Sequence, residues 1–258
     1  MKPQKKVMIT PQMIQQFQEI TDCPDKILSA KILNENGGNV NNAVEAYYSG
    51  NHNKNISTKK SGSIVPAVDS KLLEQEFNRF DDGDNTMQET GICKFFEELG
   101  VGMDDIFVYL FSFEAKAQVM GEFKKEEFVR AMTFNGCSTA KELAGRIGKM
   151  KQRYAVGTQD FNDLYKFVFQ FSIQGVKMLT VVEASMILTT LVGNGYPMAT
   201  RFCHFLANDL SVQKEGVFKD TWNMILCFLK KVGANGENYT TDDAWPLLVV
   251  NFMESIAK

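Results

Sequence analysis

The sequence predicts an all-α protein built from a small helical module, a linker and a larger helical domain. Three observations carry this reading. Apolar residues recur at three- and four-residue intervals, no segment shows a convincing strand alternation, and the stretch "NHNKNISTKKSGSIVP" combines Asn, Ser, Lys, Gly and Pro with little apolar content. The boundaries read 8–50 for the module, 51–66 for the linker and 67–258 for the larger domain.

In the module, Thr10 before Pro11 is an N-cap followed by proline at the first helical position, and Met13, Ile14, Phe17 and Ile20 fall at helical spacing. Asp22 to Asp25 supply a break. Ile27, Leu28, Ala30, Lys31 and Ile32 make a second helix, stopped by Gly37 and Gly38. Asn39 then caps a third, whose apolar face carries Val40, Ala43, Val44, Tyr47 and Tyr48. After the linker, helices are expected in "SKLLEQEFNRF", "ICKFFEELG", "MDDIFVYLFSFEAKAQ", "KKEEFVRAMTFN", "STAKELAGRIGKMKQRYA", "DFNDLYKFVFQFSI", "TVVEASMILTTLVG", "MATRFCHFLANDL", "FKDTWNMILCFLKKVG" and "AWPLLVVNFMESIA". The 20 Phe and 13 Met fall mostly at these intervals, which assigns them to core packing.

Two loops have the outline of calcium-binding EF-hands without the ligands. In "AQVMGEFKKEEFVRAM", Gly121, Phe123 and Glu127 stand at the sixth, eighth and twelfth loop positions, but the first, third and fifth are Lys116, Gln118 and Met120. In "RFDDGDNTMQETGICKFFEELG", Ile92 is expected to pair with Phe123 in a short ladder. That register puts Asn85, Met87, Glu89 and Phe96 at positions where a hard cation needs oxygen. No metal is expected, and the pair reads as architecture around a groove.

Composition narrows the function classes. The chain has 258 residues, a formal net charge of -3 and a pI near 5.6, which give no electrostatic reason to bind nucleic acid or anionic lipid. No apolar run approaches the roughly 20 residues that span a bilayer, so a soluble intracellular protein is expected. Cys23, Cys93, Cys137, Cys203 and Cys227 are never paired as C-x-x-C, and the two histidines, His52 in the linker and His204 in an apolar helix, provide no base for a nucleophile. His204 is expected to be a satisfied or partly buried structural histidine. With no G-x-S-x-G and no Walker loop, neither a catalytic set nor a cofactor is expected.

Two resemblances follow from motifs. Three short helices with "NGGNVNNAVEAYY" opening the third resemble the ubiquitin-associated (UBA) domain family, although the first loop lacks that family's Met-Gly-aromatic surface. "MGEFKKEEFVRAM", "FNDLYKFVFQFS", "FKDTWNMILCF" and "DDAWPLLVVNFMESIAK", in this order, resemble the potentiating-neddylation domain of the defective-in-cullin-neddylation family.

The second resemblance implies a scaffold-type ligase component, not an enzyme. Such a protein holds the neddylation conjugating enzyme with one surface and the winged-helix domain of a cullin with another, in the cytoplasm and nucleus. It implies an apolar pocket for the conjugating enzyme's acetylated N-terminal methionine, with Val108, Phe111, Phe123 and Phe128 as walls and Ile187 and Leu191 facing them. It also implies a cullin-binding patch at Asp220 and Ala244. Where an acid is expected six residues after that alanine the chain has Val250, followed by Asn251, with Asp243 and Asp242 as nearby sources of charge. Two other readings stand beside this one: a ubiquitin-binding adaptor without a role in cullin modification, and a metal-sensing EF-hand protein.

Overall fold

The computed structural model describes residues 9–21, 26–40, 42–44 and 68–256. The chain divides into two compact units, Met1–Ser63 and Ile64–Lys258. In the first, helix α1 (Pro11–Thr21) and helix α2 (Lys26–Glu35) are followed by helical residues 40 and 42–44. The expected caps form: Thr10 Oγ1 accepts from Met13 N at 3.3 Å, and Asn39 Oδ1 from Asn42 N at 3.1 Å. Gly37 and Gly38 take φ of 63° and 76°, and the Gly38 amide reaches back to the Leu33 carbonyl at 2.8 Å, ending α2. Phe17, Ile32, Leu33 and Ala43 form the core of this unit. Tyr47, Tyr48 and the side chain of Ile20 lie outside the described residues.

The second unit runs α3 (Ser70–Asn78), β1 (Thr86–Met87), α4 (Glu89–Glu98), α5 (Ile106–Ala115), β2 (Phe123–Lys124), α6 (Lys125–Phe134), α7 (Ala140–Ala144) and α8 (Ile147–Arg153). It continues through α9 (Gln159–Ser172), β3 (Met178–Thr180), α10 (Val181–Val192), α11 (Ala199–Asn208), β4 (Gly216–Phe218), α12 (Lys219–Lys231) and α13 (Leu247–Ile256). The domain is mostly helical, as expected, with four short strands among the described residues. At two or three residues each they are too short to show alternation, and only pairing with a distant segment makes them visible. The expected helix over "STAKELAGRIGKMKQRYA" is likewise two, α7 and α8, broken at Gly145 and Arg146.

The ladder beside the first loop has a different register from the expected one. Met87, not Ile92, faces Phe123, and Thr86 faces Lys124. The chain turns early because Gly83, Asp84 and Asn85 all take positive φ, so it reaches the ladder five residues sooner, and Ile92 is buried in α4 instead. In this register Phe80, Asp82, Asp84 and Gly91 occupy the ligand positions. Asp82 Oδ2 accepts from the amides of Gln88 at 2.7 Å and Gly91 at 2.8 Å, and Asp81 Oδ1 from those of Gly83 and Thr86. In the second loop Glu127 directs its two oxygens at the amides of Gln118 (3.1 Å) and Lys124 (3.0 Å). These carboxylates close the loops by accepting from backbone N–H groups that would otherwise lack a partner within the loop. A second ladder, unforeseen from sequence, pairs Leu179 with Val217 and ties α10 to α12.

Gly91 gives a direct test of the corrected register. A Cβ there would lie 1.8 Å from the Phe80 carbonyl oxygen, a backbone atom that cannot swing away. Gly91→Ala is therefore expected to lower stability by about 1–3 kcal/mol or more, the usual cost of overpacking, in urea unfolding. A neutral or stabilising effect would remove the close approach of α4 to the first loop.

Phe77, Phe80, Phe95, Phe96, Phe107, Phe111, Phe123 and Phe128 then pack edge-on or tilted at centroid distances of 5.1–6.5 Å. Among the described residues no helix is long and apolar enough to cross a membrane.

Candidate functional site

A cavity of about 460 Å³ opens where the start of α5, the loop before β2, the end of α9 and one face of α10 converge. Each wall is fixed locally. Asp105 caps α5 by accepting from the Phe107 amide at 2.8 Å and holds Lys151 Nζ at 2.6 Å. At α10, Thr180 and Glu183 form a capping box: Glu183 Oε2 accepts from the Thr180 amide at 2.8 Å, and Thr180 Oγ1 from the Glu183 amide at 3.2 Å. Ser185 Oγ donates to the Cys203 carbonyl at 2.8 Å and locks α10 to α11.

The walls are mainly apolar: Met103, Tyr109, Met120, Leu179, Met186 and Ile187. Ser172, Thr190, Asp104 and Glu183 add polar groups. Burial raises the Tyr109 phenol's pKa, and the Ser172 hydroxyl beside it offsets part of that. Glu183, Met186, Ile187 and Thr190 lie at i, i+3, i+4 and i+7 of α10, so one helical face supplies four lining residues. Among the described residues no cation lines the cavity, which disfavours an anion, and the apolar majority of its walls suits a predominantly apolar group.

Of the six residues expected to form such a pocket, only Ile187 lines this one. Phe111, Phe123 and Phe128 are corrections: they are built into the aromatic core, where Phe111 meets Phe123 at 5.2 Å and Phe128 at 6.1 Å. Leu191 is buried, and Val108 is half-buried against the same core. The sequence signal for this cavity is the α10 face on which Glu183, Met186, Ile187 and Thr190 stand together, mixing polar and apolar residues at helical spacing.

The second expected surface divides. Asp220 is exposed in the first turn of α12; Phe218 is the N-cap, and the Asp220 carboxylate has no hydrogen bond or ion pair among the described residues. Ala244 is exposed, whereas Val250 and Asn251 are half-buried in α13. Asp243 is already engaged within the chain. It binds Lys231 Nζ at 2.6 Å and Thr240 Oγ1 at 2.8 Å, and the Lys231 ammonium holds its pKa below the usual carboxylate range. Lys231 ends α12 while Asp220 starts it, so the two acids are separated by roughly 16 Å of helix at 1.5 Å per residue. Lys231 also lies 5.6 Å from the centre of the Trp245 ring, which is edge-on to Phe228 at 5.9 Å.

His204 is a further correction. It is exposed on α11, lining a shallow cleft of about 540 Å³ with Thr200, Arg201, Phe205, Phe252 and Ile256. Burial pushes the Cys137 thiol up to about 11 and raises that of Cys203, so neither supplies much thiolate at neutral pH. Cys23 lies outside the described residues.

A family model described as Cullin binding matches residues 142–255, and one described as a UBA-like domain matches residues 12–52. The chain is 29% identical over 198 residues to DCN1-like protein 2 of Dictyostelium discoideum, covering 76% of this chain and 73% of that protein. It is 32% identical over 206 residues to DCN1-like protein 3 of Homo sapiens, covering 76% of this chain and 66% of that protein. DCN1-like protein 5 of Mus musculus is 28% identical over 172 residues, 66% of this chain and 71% of that protein. The Cullin binding match contains Asp220, Ala244, Val250 and the α9, β3 and α10 walls of the cavity, while Met103, Tyr109 and Met120 precede it.

Proposed function

Because the chain belongs to the DCN1-like family, with a UBA-like domain at its N-terminus and a cullin-binding domain after it, we propose that it is a non-catalytic scaffold for cullin neddylation. On this reading the cavity beside α10 receives the acetylated N-terminal methionine of the conjugating enzyme, and the surface around Asp220 and Ala244 meets the cullin. The observation that carries it is a preformed, largely apolar cavity on the same unit as an exposed acid that has no internal partner. Holding donor and acceptor together turns a bimolecular transfer into an effectively unimolecular one, with the reacting groups supplied by the partners. Reconstituted modification of a cullin, with and without the intact chain, tests it. Acceleration without a modifier thioester on this chain is the expected result. No acceleration, or a thioester trapped on one of its cysteines, would overturn it.

Asp220 offers a sharper prediction. Its carboxylate caps no amide, so removing it leaves the helix start intact. Asp220→Ala is expected to weaken cullin binding about tenfold at an unchanged melting temperature, and Asp220→Arg to weaken it more, because like charges then meet a basic partner. Calorimetric titration with a cullin C-terminal domain checks this. Loss of binding only in step with loss of folded protein would return Asp220 to a purely structural role.

The UBA-like domain supports a second surface, for ubiquitin, on the first unit. Titration of ubiquitin into the labelled chain, with chemical-shift changes confined to residues 12–52, is the corresponding measurement.

A further inference from the structure

Methionines gather at the cavity in a way the proposed occupant does not require. Met87, Met132, Met150 and Met198 are 1% exposed or less, whereas Met103, Met120 and Met186 are 52%, 42% and 67% exposed and all three line the cavity. A fourth exposed methionine, Met178, immediately precedes the lining residue Leu179. Exposure decides which thioethers a small oxidant reaches without unfolding the chain, and the contrast between these two groups is wide, with Met13, Met224 and Met253 half-buried between them. Methionine is a flexible apolar wall when reduced, and its sulfoxide is a polar group with a strong acceptor oxygen.

We propose that Met103, Met120 and Met186 form an oxidation site that lowers the cavity's affinity for an apolar segment. In the step, a hydroperoxide is attacked by the thioether sulfur. The O–O bond breaks, one oxygen becomes the S=O oxygen, and the other leaves as water or an alcohol after taking up a proton. Sulfur loses two electrons and the peroxide gains them. Reversal takes a thiol-dependent methionine sulfoxide reductase, which returns the oxygen as water. Three oxygens placed on the walls would have to be desolvated each time an apolar side chain entered, and no cation lines the cavity to receive them. The buried methionines of the core stay reduced, so the fold survives the modification.

The effect on binding rests on the occupant proposed above; the site of oxidation does not. The test treats the full chain with dilute hydrogen peroxide, maps the added oxygen by peptide mass spectrometry, and titrates an N-acetylmethionyl peptide before and after. Oxygen is expected first on the exposed methionines Met186, Met103, Met178 and Met120, with affinity falling about tenfold or more and returning after reductase treatment. In Met103→Leu/Met120→Leu/Met186→Leu, whatever its starting affinity, peroxide is expected to change binding less than about twofold. Oxygen appearing first on buried or half-buried methionines, or sulfoxides at Met103, Met120 and Met186 with unchanged affinity, overturns the proposal alone. Failure of the untreated chain to bind the peptide overturns the occupant reading and takes the affinity effect with it.

Discussion

Trp222→Ala is expected to lower the free energy of unfolding by about 3–5 kcal/mol, the range for deleting a fully buried large aromatic side chain. Trp222 is 0% exposed and stacks on Tyr165 at 4.6 Å with an interplanar angle of 19°. The pair is also locked by reciprocal hydrogen bonds. Trp222 Nε1 donates to the Tyr165 carbonyl at 3.0 Å, and the Tyr165 hydroxyl donates to the Trp222 carbonyl at 2.8 Å. Alanine therefore removes the ring contacts with Tyr165 and Phe169, leaves a cavity between α9 and α12, and takes the indole N–H donor from the Tyr165 carbonyl, while the phenol keeps its bond to the backbone carbonyl of residue 222. Tyr165→Phe keeps the stack and loses one bond, so it is expected to cost only about 0.5–1.5 kcal/mol. Urea unfolding of the three proteins, with slopes compared, measures both. Equal costs for the two variants would mean that the hydrogen bonds, not the ring packing, hold these helices together.

The second large effect concerns the cavity's occupant. A peptide with an N-acetylated methionine is expected to bind about ten- to a hundredfold more tightly than the same peptide with a free amine. The free terminus carries a charge, and placing it against Met103, Leu179, Met186 and Ile187 costs several kcal/mol unless it is paired. Two acids at the cavity, Asp104 and Glu183, work in the opposite direction. Glu183 is already engaged with Thr180, and Asp104 is exposed. An exposed ion pair is worth only about 0.2–1 kcal/mol. Desolvation of the amine is the larger quantity, so acetylation prevails. Calorimetric titration with both peptides decides it, and Ile187→Arg is expected to abolish the preference by placing a charge on the wall. Equal affinities would reduce the cavity to a surface cleft with no preference for a blocked terminus.

Much of the architecture is legible in the residues themselves. Helical spacing locates nearly every helix, because amphipathic periodicity is a local property of the chain. The caps at Thr10 and Asn39 were readable for the same reason: a side chain and an amide three residues apart need no tertiary partner to meet. "FKDTWNMILCF" marks the helix that buries Trp222, and the order of such segments carries the family resemblance.

Tertiary structure alone decided which apolar residues face solvent and which face other apolar residues. Phe111, Phe123 and Phe128 are the pocket walls that the family resemblance implies, yet they are core, because a ring cluster packs over them from α3 and α4. Met103, Met120 and Met186 satisfy the sequence criteria for core and remain exposed, because among the described residues of this unit nothing covers them. The ladder register depended on Met87 meeting Phe123 across 36 positions, and the charge of Asp243 on Lys231 lying within reach. Periodicity along one helix fixes which face is apolar. What covers that face is settled by chain segments far away in sequence, and neither composition nor spacing records their distance.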